Sequence, residues 1–334
     1  MQQLIALKLG SSNTSIYKQG EGIVLFEPSL VAYSKVGNQR EVKAIGTRAK
    51  RMLGRTDEAT YVDSPIFEGK ITDTELCEVM LKFFMQKIFP KRFIKPQIKA
   101  IVCLPLGLNV HEKKAFERVC FNVGIQDVVF VPSIICGALG YNLPIENTSG
   151  TLFVNIGGGS TDIAVICMNN ILAGVNIGVG GETMDRAVEQ HILNTHNLLI
   201  GKGASEKVKI EIGSLYPNDS SNTEVSGVDA TTKLTKQVVV ESMELYSVLE
   251  HYYSMIADAI KSVISSCPPN IVEDITNYGV SILGGASLIT GAEPYFRKKL
   301  DIPVKIEDYT TAIDVLGAGK LLTDIKLQKE LARV

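Results

Sequence analysis

The chain has 334 residues, of which 45% are hydrophobic and 21% charged, a composition that excludes intrinsic disorder and suits about two domains. Its 34 basic and 36 acidic residues give a formal net charge of −2, so no overall basic excess favours nucleic acid as a partner. Six cysteines without a C-x-x-C pair and four histidines without ligand-like spacing argue against disulfides and a metal centre. The first residues lack the features of a signal peptide, and we expect a cytoplasmic protein with buried thiols.

Short β-rich runs alternate with helical patterns along the chain. Residues 4–9, 14–17 and 23–25 predict three strands, and residues 74–88 carry the apolar stripe of an amphipathic helix. A strand (98–104), a helix (111–123) and another strand (127–131) follow in turn. This alternation predicts an α/β fold in which helices pack on sheets.

Two segments about half a chain apart share one pattern: an apolar strand, a turn of small residues and a second strand. They read LKLGSSNT at residues 7–14 and VNIGGGST at residues 154–161. Backbone N–H groups in such turns can converge on an anion, although a tight turn that needs glycine for its φ angle is the alternative for either copy alone. The repetition favours a phosphate site between two duplicated domains. The predicted ligand-binding residues of the turns are Gly10, Ser11, Ser12, Asn13, Thr14, Gly157, Gly158, Gly159, Ser160 and Thr161.

Two weaker signals accompany the turns. An apolar run at residues 279–283 leads into Gly284, Gly285, Ala286 and Ser287, where a ligand could approach the backbone at the start of a helix. The helix near residues 206–213 carries Glu206, Lys207 and Lys209, which could contact a ribose or simply face solvent. The polar stretch at residues 214–236 predicts loops and short strands.

Together these segments resemble the actin-like ATPase superfamily and, within it, the MreB/Mbl family of bacterial actin homologues. The likeness covers nearly the whole chain and includes residues 20–29, 49–56, 197–201, 209–214 and 301–304. It implies a duplicated, ribonuclease H-like α/β fold with four subdomains around a cleft that binds ATP or ADP. It also implies head-to-tail protofilaments of this chain, association with the membrane surface, and a role in cell shape or motility.

The resemblance implies a division of the chain into two discontinuous domains. Domain I takes residues 1–149 and 317–334, with a small subdomain, IB, at 31–70. Domain II takes residues 150–316, with a small subdomain, IIB, at 182–249.

The chain departs from the family pattern where the resemblance implies that acidic residues manage metal and water. Lys8 and Asn155 stand where the family has aspartates before the two turns, and Val131 stands where it has the glutamate that orients the attacking water. Because ATP hydrolysis needs a positioned water and a neutralised phosphate, we expect no intact catalytic site and little hydrolysis. Lys8 could replace magnesium as the positive charge beside the phosphates, or the cleft could hold no nucleotide. The retained glycines and hydroxyls of the two turns favour binding, and Ala286 and Lys207, which also depart from the pattern, weaken that preference.

Apolar residues stand among cations after the helix at residues 74–88. Phe93 and Ile94 match the family's membrane-inserting loop and are flanked by Lys91, Arg92 and Lys95, which suit an anionic leaflet. A turn that buries Phe93 in the core is the alternative.

The sequence thus predicts a filament-forming cytoskeletal protein at the inner face of the cell membrane, with lost or very weak ATPase activity, which assembles with itself and with paralogous filaments. One rival is an active ATPase or phosphotransferase that uses Asp162 or Glu182. The other is a membrane adaptor of the FtsA type that does not polymerise.

Overall fold

The computed structural model describes residues 2–37, 39–57, 59–90, 97–306 and 312–331. The predicted membrane residues Phe93 and Ile94 lie outside this part of the chain. The strands are β1 (Gln2–Leu9), β2 (Asn13–Lys18), β3 (Gly22–Pro28), β4 (Val31–Val36), β5 (Gln39–Ile45), β6 (Thr60–Asp63), β7 (Ile66–Phe67), β8 (Lys70–Ile71), β9 (Gln97–Leu104), β10 (Ile125–Pro132), β11 (Thr151–Ile156), β12 (Thr161–Cys167), β13 (Asn170–Ile177), β14 (Leu198–Leu199), β15 (Asn222–Asp229), β16 (Thr235–Glu241), β17 (Val280–Leu283) and β18 (Val304–Ile306). The helices are α1 (Thr47–Lys50), α2 (Thr74–Ile88), α3 (Val110–Asn122), α4 (Ser133–Gly140), α5 (Gly181–His196), α6 (Lys202–Ile212), α7 (Ser242–Ser265), α8 (Pro269–Tyr278), α9 (Ala292–Leu300), α10 (Ile313–Leu321) and α11 (Ile325–Leu331), with a 3₁₀ turn at Gly285–Leu288.

Two five-stranded sheets have the same construction. The first has the order β10-β9-β1-β2-β3 and the second β13-β12-β11-β17-β18. In each sheet the opening strand pairs antiparallel with the next strand of the chain (β1 with β2, β11 with β12) and parallel with a later one (β9, β17). The predicted duplicated α/β fold is therefore confirmed.

Two small three-stranded sheets are inserted into the large ones. The strand order is β5-β4-β6 in the first and β14-β15-β16 in the second. The second sheet corrects the expectation of short strands at residues 214–236, because β15 has eight residues and β16 seven. Buried and exposed side chains alternate along these two strands, with Val225 and Val240 buried and polar neighbours exposed. One face of the sheet is exposed to solvent, and the many polar residues on it resemble the composition of a loop.

Helix α2 illustrates how the sequence sets an element. The Asp73 carboxylate accepts a hydrogen bond from the Leu76 N–H at 3.0 Å and caps the helix, while Leu76, Met80 and Phe84 are buried along one face. Its bounds match the prediction. No helix in the described ranges has both the length and the apolar character needed to cross a bilayer.

Helices α4 and α10 pack against each other between the two large sheets. A Cβ at Gly317 of α10 would lie 1.7 Å from the carbonyl oxygen of Cys136 on α4, so only glycine permits this crossing. One buried cluster joins Ala6 and Ile101 of the first sheet to Phe153 of the second through these helices. The proposed domain boundary between residues 316 and 317 falls within α10.

Candidate functional site

The two predicted turns lie at equivalent ends of the two large sheets. The N–H of Gly10 donates to the Asn13 carbonyl at 3.1 Å, and the N–H of Gly157 donates to the Ser160 carbonyl at 3.0 Å. The same hydrogen bond therefore closes both turns, which is the structural counterpart of the repeated sequence pattern.

The tips of the two turns face each other at close range. A Cβ at Gly158 would lie 1.9 Å from Ser12 Oγ, and a Cβ at Gly159 would lie 2.2 Å from Ser11 Oγ. The glycines thus allow two backbone segments to approach each other, leaving N–H groups without side-chain cover. Such a concavity of backbone donors is suited to anionic oxygens.

The start of α5 supports the second turn. The N–H of Gly181 donates to the Gly157 carbonyl at 3.0 Å, and the N–H of Glu182 donates to the Gly158 carbonyl at 2.8 Å. The Glu182 carboxylate also accepts a hydrogen bond from Ser12 Oγ at 2.6 Å. The first turn of α5 therefore connects the two phosphate-type turns.

The third glycine segment lies beside β11. Gly284 has φ +101°, and a Cβ there would lie 2.1 Å from the Ile156 carbonyl oxygen, so this position requires glycine. The Ser287 hydroxyl donates to the Gly284 carbonyl at 2.7 Å, and the buried Tyr253 hydroxyl donates to the Ala286 carbonyl at 2.5 Å. Burial raises the pKa of Tyr253, so its hydroxyl stays protonated as a donor.

Helix α6 closes one side of the cleft with an ion pair. Lys209 Nζ lies 2.7 Å from Asp185 Oδ1 and donates to the Gly181 carbonyl at 2.9 Å. Burial raises the pKa of Asp185, and Lys209 opposes that rise. At the mouth of the cleft, Lys50 of α1 lies 2.8 Å from Glu206 of α6.

These elements line a cleft of about 270 Å³. Next to it lies a larger cavity of about 670 Å³, and five residues line both: Ser11, Ser12, Glu182, Asp185 and Glu206. Most of the predicted ligand-binding residues line the smaller cleft, namely Gly10, Ser11, Ser12, Asn13, Gly157, Gly158, Gly159, Ser160, Glu206, Lys209, Gly284, Gly285 and Ala286.

The side chains of four predicted residues lie elsewhere, which corrects the expectation that they offer side-chain contacts in the cleft. Thr14 is buried and hydrogen-bonded to Ser29 at 2.8 Å, and Thr161 donates to the Val179 carbonyl at 2.7 Å. Ser287 is buried in its own turn, and Lys207 is exposed on α6, 3.4 Å from Glu211. The three hydroxyls hold the turns in place, while Lys207 belongs to the solvated face.

The floor of the cleft contains an ion pair that the sequence did not reveal. Lys8 Nζ donates to Asp314 Oδ2, and Asp314 is 2% exposed. Burial opposes the ammonium charge, but the Asp314 carboxylate outweighs it and raises the pKa of Lys8. The charge of Lys8 is therefore paired with Asp314, a partner that the sequence analysis did not include.

The neighbouring Asp162 is also buried. Its Oδ1 accepts hydrogen bonds from the Leu106 N–H at 2.9 Å and from Asn176 Nδ2 at 2.8 Å. Burial raises the pKa of Asp162, against these hydrogen bonds and the charge of Lys8. The carboxylate is thus held in place by the backbone and by β13.

The remaining degenerate positions carry no acid. Val131 is fully buried in the cluster between the sheets, and Asn155 is buried at the end of β11, lining the cleft. In the described residues no group of three His, Cys, Asp or Glu side chains is placed to hold a metal ion.

Sequence reasoning missed Asp185 and Asp314 as members of the site. Asp314 offered one signal, because it stands alone in the apolar run at residues 312–318. A buried acid is almost always paired, so such a residue has a partner elsewhere in the chain. The sequence did not say which one.

Two duplicated sheets with glycine turns facing each other across a cleft define the class of actin-like ATPase folds. The structure superimposes on MreB5 of Spiroplasma citri bound to AMPPNP with a TM-score of 0.89, at 29% identity, covering 98% of this chain and 97% of that one. For the MamK double helical filament the TM-score is 0.79 at 19% identity, a likeness of fold alone.

The sequence comparisons identify the family. Residues 2–330 match the family model for MreB/Mbl protein, and the chain belongs to that family. It is 34% identical to the cell shape-determining protein Mbl of Bacillus subtilis (strain 168) over 329 residues, 97% of each chain. It is 31% identical to the cell shape-determining protein MreB of Escherichia coli (strain K12) over 326 residues, 97% of this chain and 94% of that one.

Proposed function

We propose that this protein is a filament-forming cytoskeletal subunit for cell shape or motility that binds ATP or ADP and hydrolyses it very weakly or not at all. The observation that carries the proposal is the pair of glycine turns, which face each other at the ends of two duplicated sheets. In the related MreB5 of Spiroplasma citri, structures with AMPPNP and with ADP exist. The same turns here would hold the phosphates.

Loss of hydrolysis follows from the three degenerate positions. Val131 has no group that can orient water and is buried away from the cleft, and Asn155 offers an uncharged amide. Lys8 is paired with Asp314. Since phosphoryl transfer depends on positioning and on neutralising charge, little rate enhancement remains.

Single-turnover release of phosphate from ATP tests this part. We expect release at the background rate with and without Mg²⁺. The rival ATPase would instead turn over with Mg²⁺ and lose that turnover in Asp162→Asn or Glu182→Gln. Asp162 Oδ1 and Glu182 Oε1 already accept hydrogen bonds within the protein, which favours the proposal over the rival.

The proposed cytoskeletal function requires self-assembly, and the MamK filament, which shares the fold, is an example of such assembly. We propose head-to-tail protofilaments of this chain, which also join paralogous filaments. Electron microscopy of the purified protein, with and without ATP, should show filaments. A protein that stays monomeric but still pellets with vesicles would instead be an adaptor of the FtsA type.

Attachment at the inner face of the cell membrane is the remaining part of the proposal. It is supported by the sequence around Phe93 and Ile94, which follows the end of α2 and carries three cations. In a co-sedimentation experiment with vesicles of phosphatidylglycerol and phosphatidylethanolamine, the wild type should pellet with the vesicles, and Phe93→Ala/Ile94→Ala should stay in the supernatant. Equal pelleting of both proteins would remove this part of the proposal without affecting the nucleotide cleft.

A further inference from the structure

The floor of the cleft contains an internal cation. Lys8 is the penultimate residue of β1, just before the first turn, and its ammonium donates to Asp314 Oδ2 at the start of α10. The carboxylate of Asp162, from β12, lines the same cleft as Lys8 and Asp314, and its negative charge favours the charged form of Lys8. One ammonium from β1 thus shares the cleft with two buried carboxylates, both of which come from residues 150–316.

The two carboxylates are only partly satisfied by this arrangement. Asp314 is 2% exposed, and its Oδ1 has no hydrogen-bond partner among the described residues. Asp162 is 5% exposed, and the two hydrogen bonds that it accepts from Leu106 and Asn176 both fall on Oδ1. Buried carboxylates are normally paired with cations or bound to metal ions, and here the Lys8 ammonium is the nearby cation.

A divalent metal ion does not fit this floor as it stands. Mg²⁺ in proteins is bound by one or two carboxylates together with water and phosphate oxygens. The Lys8 ammonium occupies the carboxylate that such an ion would use and repels a second cation at short range. The structure therefore disagrees with the metal that the fold family implies.

We propose that Asp314 and Asp162 form a cation site whose permanent occupant is the Lys8 ammonium, so that nucleotide phosphates meet a lysine in place of a divalent metal ion. Lys8 lines the cleft and has three N–H donors, of which Asp314 takes one. The inference deepens the proposed nucleotide cleft, but the site itself exists without nucleotide and can be tested without it.

Mn²⁺ titration of the nucleotide-free protein, followed by electron paramagnetic resonance, tests the site directly. The wild type should bind no Mn²⁺ in the cleft. Lys8→Met and Lys8→Gln should each gain one Mn²⁺ site, because two carboxylates lose their internal cation. Its affinity should be at least about tenfold higher than any residual Mn²⁺ affinity of the wild type. Lys8→Gln keeps a donor for Asp314 and guards against a folding failure of Lys8→Met.

Two further variants serve as controls for the Mn²⁺ titration. The gain should vanish in Lys8→Gln/Asp314→Asn, which keeps the shape of the floor and removes the metal ligand. Lys99 of β9 lies 3.5 Å from Asp127 in the same sheet, outside the cleft, and Lys99→Gln should gain no Mn²⁺ site. A wild type that binds Mn²⁺ in a manner lost in Asp314→Asn overturns the inference, and so do Lys8 variants without a gain.

ATP binding separates the inference from the proposed function. The wild type should bind ATP with the same affinity, within about threefold, in EDTA and in Mg²⁺, whereas Lys8→Gln should bind at least about tenfold more tightly with Mg²⁺. A wild type that binds ATP only with Mg²⁺ overturns the inference and leaves the nucleotide cleft standing. A wild type that binds no ATP overturns the proposed nucleotide cleft, and the Mn²⁺ experiment then decides the inference alone.

Discussion

Ser12 and Glu182 connect the two halves of the protein at the centre of the cleft. The Ser12 hydroxyl at the tip of the first turn donates to Glu182 Oε1, 2.6 Å away, on the first turn of α5. The contact depends on the absence of a side chain at Gly158, which lies directly beside Ser12. The contact between Ser12 and Glu182 therefore requires glycine at position 158.

Adding a methyl group at that glycine should separate the turns. In Gly158→Ala the new Cβ would overlap Ser12 Oγ, so Ser12 must leave Glu182, and we expect the free energy of unfolding to fall by about 1–3 kcal/mol. Urea unfolding followed by circular dichroism measures the change. Gly203→Ala on α6 is the control: its Cβ meets no atom within 4 Å, so the helix should gain stability. Equal losses in both variants would contradict the explanation.

The third glycine segment should depend on the buried Tyr253 hydroxyl. Tyr253→Phe keeps the ring in the core and leaves the Ala286 carbonyl without its donor, which should cost about 1–3 kcal/mol of unfolding free energy. Thermal unfolding with and without ATP is the measurement, and ATP should stabilise the variant less than the wild type. Tyr278→Phe, at a residue that is 74% exposed, should change neither value.

Glu244 should make the unfolding free energy depend on acidity. Burial raises its pKa, but hydrogen bonds from the Glu241 N–H and from His196, at 2.8 and 2.9 Å, outweigh it and hold the pKa of Glu244 below its ordinary 4.5. A carboxyl with a lowered folded pKa stabilises the protein above pH 4.5, and that stability is lost as the pH falls through the folded pKa.

The variant Glu244→Gln tests this dependence. It should be less stable than the wild type at neutral pH, and the difference should shrink as the pH falls below 4.5, the ordinary value for this carboxyl. Urea midpoints across the acidic range give the curve. Glu146→Gln, at an exposed position, should follow the wild type throughout, and a constant gap between Glu244→Gln and the wild type would refute the assignment.

The Lys8–Asp314 pair should be costly to break from one side. Lys8→Met leaves Asp314 buried without its cation and should lower the unfolding free energy by about 3–5 kcal/mol. Lys8→Met/Asp314→Leu replaces both charges and should recover most of that loss. The surface pair at Lys99 offers the comparison, since Lys99→Met should cost less than about 1 kcal/mol. Chemical unfolding of the three variants measures these changes in unfolding free energy.

Local patterns made much of the fold predictable. The stripe of α2 and the repeated strand-turn-strand segments depend on neighbours within a few residues, and the structure places them where the sequence does. The strands β15 and β16 were harder to predict from the sequence, because one face of their sheet is exposed to solvent and their apolar residues alternate with polar ones.

The candidate site was less predictable, because it depends on contacts between distant residues. Lys8 and Asp314 are 306 positions apart, and no local pattern pairs them. Sequence could not tell which hydroxyls of the turns face a ligand: Thr14 and Thr161 turn inward to hold their own strands, whereas Ser11 and Ser12 line the cleft. Thr14 is directed by Ser29 and Thr161 by the Val179 carbonyl, partners that lie 15 and 18 positions away in the sequence.

The glycine crossing of α4 and α10 has a mechanical consequence. At Gly317 the backbone of α10 lies against the Cys136 carbonyl of α4, with no side chain of residue 317 between the two helices. We therefore expect the halves to pivot about this point and not to drift apart. A small tilt there becomes a larger displacement at the rim, where Lys50 meets Glu206.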